Sequence, residues 1–529
     1  MTTVGQYAAA FGLRTNILHP PPLPTQSIHP KLSIYTVLSQ NILLLILLYT
    51  LQGVPVGLTF GSLPFLLKEN MSYAQLGVFS LATYPYSLKL FWSPIVDAIY
   101  SQGFGRRKTW IVPIQFIVGL VFLWLGYSID DMMSSLDAST SVIAFTGIFF
   151  GLILLCATQD IAVDGWALTL LSQENLSYAS TAQTIGLNTG YFVSFTIFLA
   201  LNSAEFCNKY LRWDGTEGTE GLFSLGGYMT FWGYVYLVVT GILVFFKSEG
   251  KESEDDSDSL NVRESYQTMV DLLKLPHLRS FVIVLLISKI GFIANESVTG
   301  LKLLELGFSR EDLALTVLID FPIQLLFGYL AAKWSTGDRP LRPWSLAFLG
   351  RLVFSAVGML MIQWYPRGAP MSTSYYMFVI VSTVISSFMS TVQFVSISAF
   401  MTSIADPLIG GTYMTFLNTL SNFGGTWPRF FILEAVDKFT VTQCVHPAGE
   451  SLEGAALPQT CSTDADKNAC MAGNGTCETL QDGYYWVSSM TIALGAALYL
   501  VYIQRQINRL QGIPPAMWKL EASRVKKTE

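Results

Sequence analysis

The amino-acid sequence predicts an all-α membrane protein in which twelve transmembrane helices form two bundles of six. Of its 529 residues, 51% are hydrophobic and only 13% are charged, and the mean hydropathy of +0.44 is well above that of soluble globular chains. Apolar segments of about 20 residues, each long enough to cross a hydrocarbon core of ~30 Å, recur along the chain. An acidic stretch divides them six and six, which is typical of a two-half transporter.

We number the predicted spans in chain order. Spans 1 to 6 are predicted near residues 41–66, 74–99, 109–128, 141–162, 179–202 and 226–246. Spans 7 to 12 are predicted near 280–301, 311–333, 344–364, 374–402, 410–434 and 484–504. The predicted domains are a tail (1–35), a first bundle (36–246), an acidic linker (247–279), a second bundle (280–504, with a Cys-rich loop at 437–483) and a second tail (505–529).

The distribution of basic residues predicts the orientation. Loops and tails on the side of the N-terminus hold most of them, including Arg106, Arg107 and Lys108 after span 2. The positive-inside rule therefore places both termini in the cytosol. The acidic run at 252–258 is expected to be a solvated, mobile linker.

Cysteines cluster in the loop before span 12, which is predicted to lie on the other side of the membrane. They are Cys444, Cys461, Cys470 and Cys477. An oxidising lumen favours two disulfides among these four, with the connectivity open. Cys207, after span 5, is either free or paired into that loop. No metal site is predicted, because the loop lacks a CxxC spacing and holds only one histidine, His446.

Short motifs suggest the compartment. Asn70 and Asn474 begin glycosylation sequons in predicted luminal loops. Residues 1–35 lack the features of a cleavable signal peptide, so span 1 is expected to act as the anchor. Lys526 and Lys527 resemble the dilysine signal that a retrieval coat recognises on membrane proteins of the endoplasmic reticulum. The alternative is a basic tail that contacts anionic lipid.

Two other classes of membrane protein are disfavoured. The chain has no G-x-x-x-x-G-K-[ST] phosphate loop, so a common ATP-driven pump is not expected. A membrane acyltransferase would need a general base at membrane depth, usually histidine, whereas all four histidines lie outside the predicted spans. We predict secondary transport with no catalytic residue, no cofactor and no nucleic-acid partner; the oligomeric state is open.

Six segments together resemble one known family. They read LQGVPVG at 51–57, SLKLFWSPIVD at 87–97, FGRRK at 104–108, ATQDIAVDGW at 157–166, VTGLK at 298–302 and DPLIGGTYM at 406–414. This pattern resembles the acetyl-coenzyme A transporter family of the major facilitator superfamily and, more distantly, the bacterial muropeptide permeases. The resemblance runs from about residue 35 to span 12.

The resemblance implies two six-helix bundles around a central cavity with a substrate site near the membrane midplane. It also implies transport of acetyl-coenzyme A from the cytosol into the lumen of the endoplasmic reticulum, with exchange against coenzyme A left open. The alternative is a proton-coupled facilitator for another solute, as in the muropeptide permeases.

Cations within the spans are candidates to bind a polyanionic nucleotide. At ~1.5 Å per residue Lys89 and Lys289 lie near the membrane middle, and Arg351 is shallower. Each would cost roughly 2.5 to 3.5 kcal/mol if it faced lipid, so all three are expected to face the protein interior. The alternative is an internal ion pair with Glu296 or Asp320, which are also candidates for proton coupling.

Further candidates form two groups. Polar and aromatic residues within spans that are predicted to contact the substrate are Asn188, Tyr191, Gln393, Asn418, Asn422 and Trp427. Arg429 is a weaker candidate cation, because it lies near the luminal end of its helix and could simply reach the interface. Charged residues at the cytosolic helix ends are predicted to form a gate: Asp97, Arg106, Arg107, Lys108, Asp160, Asp164 and Asp406. The alternative for this group is a set of solvated helix ends.

Overall fold

The structure of the protein is a computed structural model. It describes residues 40–68, 71–101, 103–135, 139–171, 178–212, 218–247, 249, 262–335, 339–366, 371–405, 410–445, 461, 470–472 and 475–519. The chain separates into two units, Met1–Gln40 and Asn41–Glu529. Only Gln40 of the first unit is described, so the architecture below is that of the second unit.

The first bundle contains six helical spans. Five of them are span 1 (Gln40–Leu67), span 3 (Lys108–Ser134), span 4 (Ser139–Leu170), span 5 (Tyr178–Phe192, Val193–Ile197 and Phe198–Asn202) and span 6 (Leu225–Phe246). Span 2 is divided into Tyr73–Ser80, Tyr84–Leu88 and Ser93–Ala98 by short 3-10 turns at Leu81–Thr83 and Lys89–Phe91. Two shorter elements, Ala204–Phe206 and Cys207–Leu211, follow span 5.

Six helical spans are also found among the described residues of the second bundle. They are span 7 (Pro276–Ile287 and Ile293–Glu305), span 8 (Arg310–Trp334), span 9 (Arg342–Gln363), span 10 (Thr373–Ile404), span 11 (Gly410–Phe439) and span 12 (Gly483–Leu510). Span 7 is interrupted at 288–292, whereas the sequence predicted one continuous helix. Backbone that leaves the helical hydrogen-bonding pattern at membrane depth is tolerated where it lines a cavity.

Eight of the described helices are long and apolar enough to cross a membrane, namely spans 1, 3, 4, 5, 6, 9, 10 and 12. Spans 2, 7, 8 and 11 do not meet this criterion. Spans 2 and 7 are interrupted, and span 11 contains polar residues such as Asn418, Asn422 and Arg429. The less apolar spans thus include Lys89, Lys289, Glu296, Asp320 and Arg429 among their residues.

Spans 2 and 11 form the seam between the bundles, since span 2 packs both against span 4 and against span 11. Spans 3 and 6 pack closely together, and span 10 packs against spans 8 and 9. Spans 1 and 5 approach each other at glycines, where a Cβ added to Gly53 would lie 3.0 Å from the Cα of Gly190. Small residues allow such close helix crossings in membranes.

Part of the predicted linker at 247–279 is helical, whereas its acidic run at 252–258 lies outside the described residues. Residues Val262–Leu273 form a helix between spans 6 and 7. Its Leu272 is buried, and Tyr266 donates a hydrogen bond of 2.5 Å to the carbonyl of Phe91 in the second 3-10 turn of span 2. Burial of the apolar face that includes Leu272 stabilises this helix against its neighbours, which a fully solvated segment would not achieve.

A disulfide-linked hairpin lies between spans 11 and 12. Strands β1 (Val441–Val445) and β2 (Thr476–Gln481) pair antiparallel, with Cys444 opposite Cys477. Disulfides join Cys444 to Cys470 and Cys461 to Cys477, with Cα atoms 5.9 and 6.0 Å apart. The prediction of two disulfides in this loop is confirmed, and the open connectivity is decided. Cys156 and Cys207 are free and buried.

We call the end of the molecule with this hairpin the hairpin face and the opposite end, with the linker helix, the linker face. Several predicted features lie outside the described residues. They are the tail at 1–35, the acidic run at 252–258, Asn70, Asp406, His446, Asn474, Lys526 and Lys527.

Candidate functional site

A cavity of about 390 Å³ lies between the two bundles near the middle of the spans. Span 1 contributes Phe60 and span 2 contributes Tyr86 and Ser87. Residues of the second bundle form most of the wall, including Lys289, Glu296, Arg351, Gln393, Asn422, Thr426 and Arg429. Ser87 and Thr426 bond across the seam at 2.7 Å. The cavity therefore has an asymmetric wall, with most of its charge in the second bundle.

A smaller void of about 80 Å³ lies beside this cavity and shares Phe60, Glu296 and Arg429 with it. Leu76 and Leu433 belong to the wall of the void and to a buried apolar cluster that includes residues of both bundles. Residues Glu296 and Arg429 thus face both spaces.

Arg351 is the most enclosed cation of the cavity. Its side chain is 7% exposed and forms an ion pair with Glu296. The guanidinium also donates to Gln393 and lies over the ring of Phe292, 3.6 Å from the centroid. An ion pair, an amide and an aromatic face together stabilise a charge that would be costly in lipid.

Lys289 is placed in the interruption of span 7. Its side chain passes Gly425 of span 11, where an added Cβ would lie 2.9 Å from Lys289 Cδ and 3.2 Å from Nζ. Any larger residue there would crowd the lysine. Among the described residues Lys289 has no ion pair or hydrogen bond, so the alternative of a pair with Glu296 or Asp320 is wrong for this residue.

Arg429 lines the cavity, although the sequence made it only a weaker candidate. Span 11 continues ten residues beyond it to Phe439, which is about 15 Å along the helix. Its Nε donates to Ser297 Oγ at 3.3 Å. The cavity thus contains three cations, Lys289, Arg351 and Arg429, against one carboxylate, Glu296. With all four ionised, the net charge is 3 − 1 = +2.

Lys89 is not among the cavity-lining residues but lies in a buried cluster of the first bundle. It pairs with Asp160, which is completely buried, and its Nζ lies 3.7 Å from Asp164. Tyr49 and Gln183 donate to Asp164 at 2.8 and 2.7 Å. Lys89 thus forms the internal ion pair that was the alternative to substrate binding, but its partners are Asp160 and Asp164, and not Glu296 or Asp320.

Asp160 and Asp164 were also expected among the basic residues of the helix ends, and their pairing with Lys89 corrects this. Span 4 continues to Leu170, ten residues past Asp160. At ~1.5 Å per residue Asp160 therefore lies about 15 Å from the end of its helix. The apolar run of span 4 stops near residue 162 in the sequence, which had suggested that the helix ends there.

The other predicted gate residues do meet at the linker face. Arg107 pairs with Asp97 at 2.5 Å, and Arg106 Nε donates to the carbonyl of Asp97 at 3.1 Å. Lys108 Nζ donates to the carbonyl of Lys247 at 2.8 Å. Glu249 accepts from the backbone N–H groups of Arg107 and Lys108 at 3.0 to 3.1 Å. Sequence reasoning missed Glu249, because nothing distinguishes it from the other linker acids.

The remaining candidates are spread over several places. Gln393 and Asn422 line the cavity, while Asn188 and Asn418 are exposed on spans 5 and 11. Trp427 donates to the carbonyl of Leu286 at 3.0 Å and faces an apolar groove between spans 2, 7 and 11.

Tyr191 and Asp320 do not line the cavity, although Tyr191 is close enough to Arg429 to interact with it electrostatically. Tyr191 packs edge to face on Phe195. Asp320 accepts from Gln324 and Ser387 at 2.6 and 2.7 Å, without a cation partner among the described residues. Its proposed pairing with a lysine is therefore wrong.

A second ionic cluster, at the hairpin face, joins the two bundles. Glu305 of span 7 accepts from Tyr73 at 2.7 Å and lies 3.6 Å from Lys68 at the end of span 1. Lys302 contacts Glu305 at 3.0 Å and Asp482, which precedes span 12, at 2.7 Å. We call these five residues the hairpin-face latch. Sequence reasoning missed it, since each residue sits singly at a helix end.

Known proteins resemble this chain in sequence and in fold. Residues 41–257, 249–342 and 337–520 match the family model described as acetyl-coenzyme A transporter 1. An uncharacterised membrane protein of Saccharomyces cerevisiae is 44% identical over 550 residues, covering 90% of this chain and 96% of the relative. An uncharacterised protein of Schizosaccharomyces pombe is 42% identical, covering 91% and 89%. The Escherichia coli anhydromuropeptide permease is 29% identical over 32% of this chain and 33% of its own length.

Solved structures share the architecture. A bacterial homolog of the human lysosomal transporter Spinster, in an inward-facing and unoccupied conformation, has a TM-score of 0.55 at 15% identity, covering 90% of this chain and 98% of that chain. A nucleoside transporter has a TM-score of 0.57 at 12% identity, covering 88% and 99%. At these identities the likeness shows the fold alone, which is that of the major facilitator superfamily.

Proposed function

Because the chain belongs to the acetyl-coenzyme A transporter family of the major facilitator superfamily, and is a multi-pass membrane transporter and not an enzyme, we propose that its substrate is acetyl-coenzyme A. We further propose that it carries this substrate from the cytosol into the lumen of the endoplasmic reticulum. The observation that supports the substrate most directly is the net positive charge of the cavity between the bundles.

The substrate has three phosphate groups, which must lose water when they enter a cavity in the membrane. Charge-assisted hydrogen bonds of about 1.5 to 3 kcal/mol each can replace that hydration. Lys289, Arg351 and Arg429 offer such donors on spans 7, 9 and 11. A neutral solute would gain little from three cations, and each would still have its cost in the membrane.

Exchange against coenzyme A is part of the proposal. Coenzyme A differs from acetyl-coenzyme A only at the thiol end, so phosphate-binding cations would hold both. The empty cavity is cationic, and unpaired buried charges are costly. The carrier should therefore change conformation more readily with a bound anion such as coenzyme A than with an empty cavity.

Two features of the two faces support the proposed orientation, in which the hairpin face is luminal and the linker face is cytosolic. The hairpin face has two disulfides, which form in oxidising compartments such as the lumen of the endoplasmic reticulum. The linker face has Arg106, Arg107 and Lys108, as expected of the cytosolic side. Retrieval by Lys526 and Lys527 and glycosylation at Asn70 and Asn474 remain predictions.

The test is uptake of labelled acetyl-coenzyme A by proteoliposomes that contain the purified protein. We expect uptake that is several-fold faster when the vesicles are preloaded with coenzyme A than when they are empty, because the exchange avoids an empty cationic cavity. Protein-free vesicles provide the background. Uptake of an anhydromuropeptide in place of acetyl-coenzyme A would contradict the proposed substrate and favour the permease-like alternative.

A further inference from the structure

The ion pair between Glu296 and Arg351 is placed on the wall where the substrate would bind. Both residues line the central cavity, and Glu296 is accessible there while Arg351 is almost fully enclosed. The face of Arg351 that Glu296 leaves free is occupied by Gln393 and Phe292. An anion that binds the N–H group of Arg351 now paired with Glu296 must therefore take the place of that carboxylate.

We propose that Glu296 is a built-in competitor for the substrate, which occupies Arg351 in the empty carrier and is displaced by a phosphate group. This inference rests on the proposed function and assigns Glu296 as a residue that sets affinity and release. It differs from a purely structural ion pair, because a structural pair would stay closed when the substrate binds.

The three cavity cations then have different roles. Lys289 has no anionic partner among the described residues, and the hydrogen bond of Arg429 given above is to the hydroxyl of Ser297. These two cations are available to the first phosphate groups that enter. Arg351 becomes available only when Glu296 leaves, so its contact is gained in exchange for another one. Part of the free energy of the phosphate contact is lost in breaking the pair between Arg351 and Glu296. This loss lowers the affinity for the substrate and permits its release.

The neighbouring void provides a place for the displaced carboxylate. Glu296 also lines the smaller space of about 80 Å³, where Arg429 and Ser297 form part of the wall. A side chain that leaves Arg351 in this direction remains close to the hydroxyl of Ser297, which can donate to it. The displaced carboxylate would then keep polar contacts and stay out of the substrate's volume.

The test measures binding to the purified full-length protein by isothermal titration calorimetry, with coenzyme A and with inorganic pyrophosphate as probes. Glu296→Gln removes the competing charge while keeping the shape, so we expect both anions to bind about tenfold or more tightly. Turnover in coenzyme A exchange should fall while KM also falls, because release becomes slow. Glu434→Gln is the matched control, since Glu434 pairs with Lys438 outside the cavity.

Unchanged or weaker binding of both anions to Glu296→Gln would overturn the inference. If the wild type binds pyrophosphate and coenzyme A but the variant shows no gain, only the competitor role fails. If neither anion binds either protein, the proposed function fails with it. Should Glu296→Gln not fold, Glu296→Asp replaces it: its shorter carboxylate reaches Arg351 less well, so tighter binding supports the inference and weaker binding contradicts it.

Discussion

Single residues show how the protein keeps charge within the membrane. Arg351 would cost roughly 2.5 to 3.5 kcal/mol on a lipid-facing helix. Its ion pair with Glu296 and its position over Phe292, where a cation–π contact adds about 0.5 to 2 kcal/mol, offset that cost. Lys289 lacks comparable contacts among the described residues. Its cost is therefore not compensated by the fold, which indicates a role in binding.

The first prediction at this scale concerns Lys289→Met. Coenzyme A binding should weaken by about tenfold or more, because one charge-assisted contact worth roughly 1.5 to 3 kcal/mol is lost. Thermal stability in detergent should stay the same or increase, since no described carboxylate is left without its partner. Calorimetry and thermal unfolding provide the two measurements.

Lys438→Met is the control for this variant, because Lys438 lies on the surface at the end of span 11 and pairs with Glu434. It should change neither quantity. Wild-type affinity in Lys289→Met would contradict the cationic-cavity account and favour a neutral, muropeptide-like substrate.

Lys89 shows the opposite case of a cation whose partners are nearby. It contacts Asp160 and lies near Asp164, while Asp160 is completely buried. Removing one partner of a buried pair typically costs 3 to 5 kcal/mol, whereas the intact pair contributes little net stability. The cluster therefore constrains how spans 2 and 4 pack, and we keep its role in gating as a prediction.

At the scale of elements, the hairpin-face latch joins the two bundles at one end of the molecule, and we predict that it keeps this end of the cavity closed. Lys68 and Tyr73 of the first bundle contact Glu305 of the second, and Lys302 extends these contacts to Asp482. Together with the apolar cluster around Leu76 and Leu433, these contacts separate the cavity from the hairpin face. Transport toward that face requires the latch to open.

We predict that Glu305→Gln weakens the latch. The loss of ion pairing worth roughly 0.5 to 1.5 kcal/mol should raise the population open to the hairpin face by about two- to tenfold. A cysteine at Ser80, which lines the smaller void, reports this opening through its reaction with a membrane-impermeant thiol reagent. The background replaces Cys156 and Cys207 by serine.

Reaction from the hairpin side should be faster in Glu305→Gln than in the parent protein by that factor. Glu434→Gln, which removes a surface ion pair on the same half, should leave the rate unchanged. An equal rate in parent and Glu305→Gln would show that the latch does not hold this end closed.

At the scale of the whole molecule, the seam between spans 2 and 11 joins two bundles of unequal character. The first bundle holds a buried ionic cluster around Lys89, whereas the second holds the three cations of the cavity. The disulfide hairpin connects spans 11 and 12, and Asp482 at its end belongs to the latch. The hairpin thus holds Asp482, one residue of the hairpin-face latch, in place.

The prediction at this scale is the disulfide pattern in the native membrane. Peptide mapping without reduction should find Cys444 joined to Cys470 and Cys461 joined to Cys477. Cys156 and Cys207 should react with alkylating reagent only after unfolding, because both are buried. Free thiols among the four hairpin cysteines would contradict both the pairing and an oxidising compartment at this face.

Much of the fold could be predicted because membrane insertion imposes a local rule. A span needs about 20 apolar residues, so composition along the chain reveals most helices without tertiary information. The candidate site was less predictable. Lys289, Arg351 and Gln393 were proposed for the cavity and do line it. Arg429 was only a weaker candidate, because the length of span 11 beyond it could not be inferred from its polar sequence.

Sequence alone therefore determined the class of protein, the two bundles, the spans and the presence of two disulfides. These properties depend on composition, on the cost of polar groups in lipid and on the compartment. Only the tertiary structure decided which charges meet. Lys89 pairs with Asp160 and Arg351 with Glu296, although in each case the partners lie on different helices, more than 50 residues apart. In the sequence, a charged residue within a span indicates only that it needs a partner. The packing of the helices decides which oppositely charged residue lies near enough to be that partner.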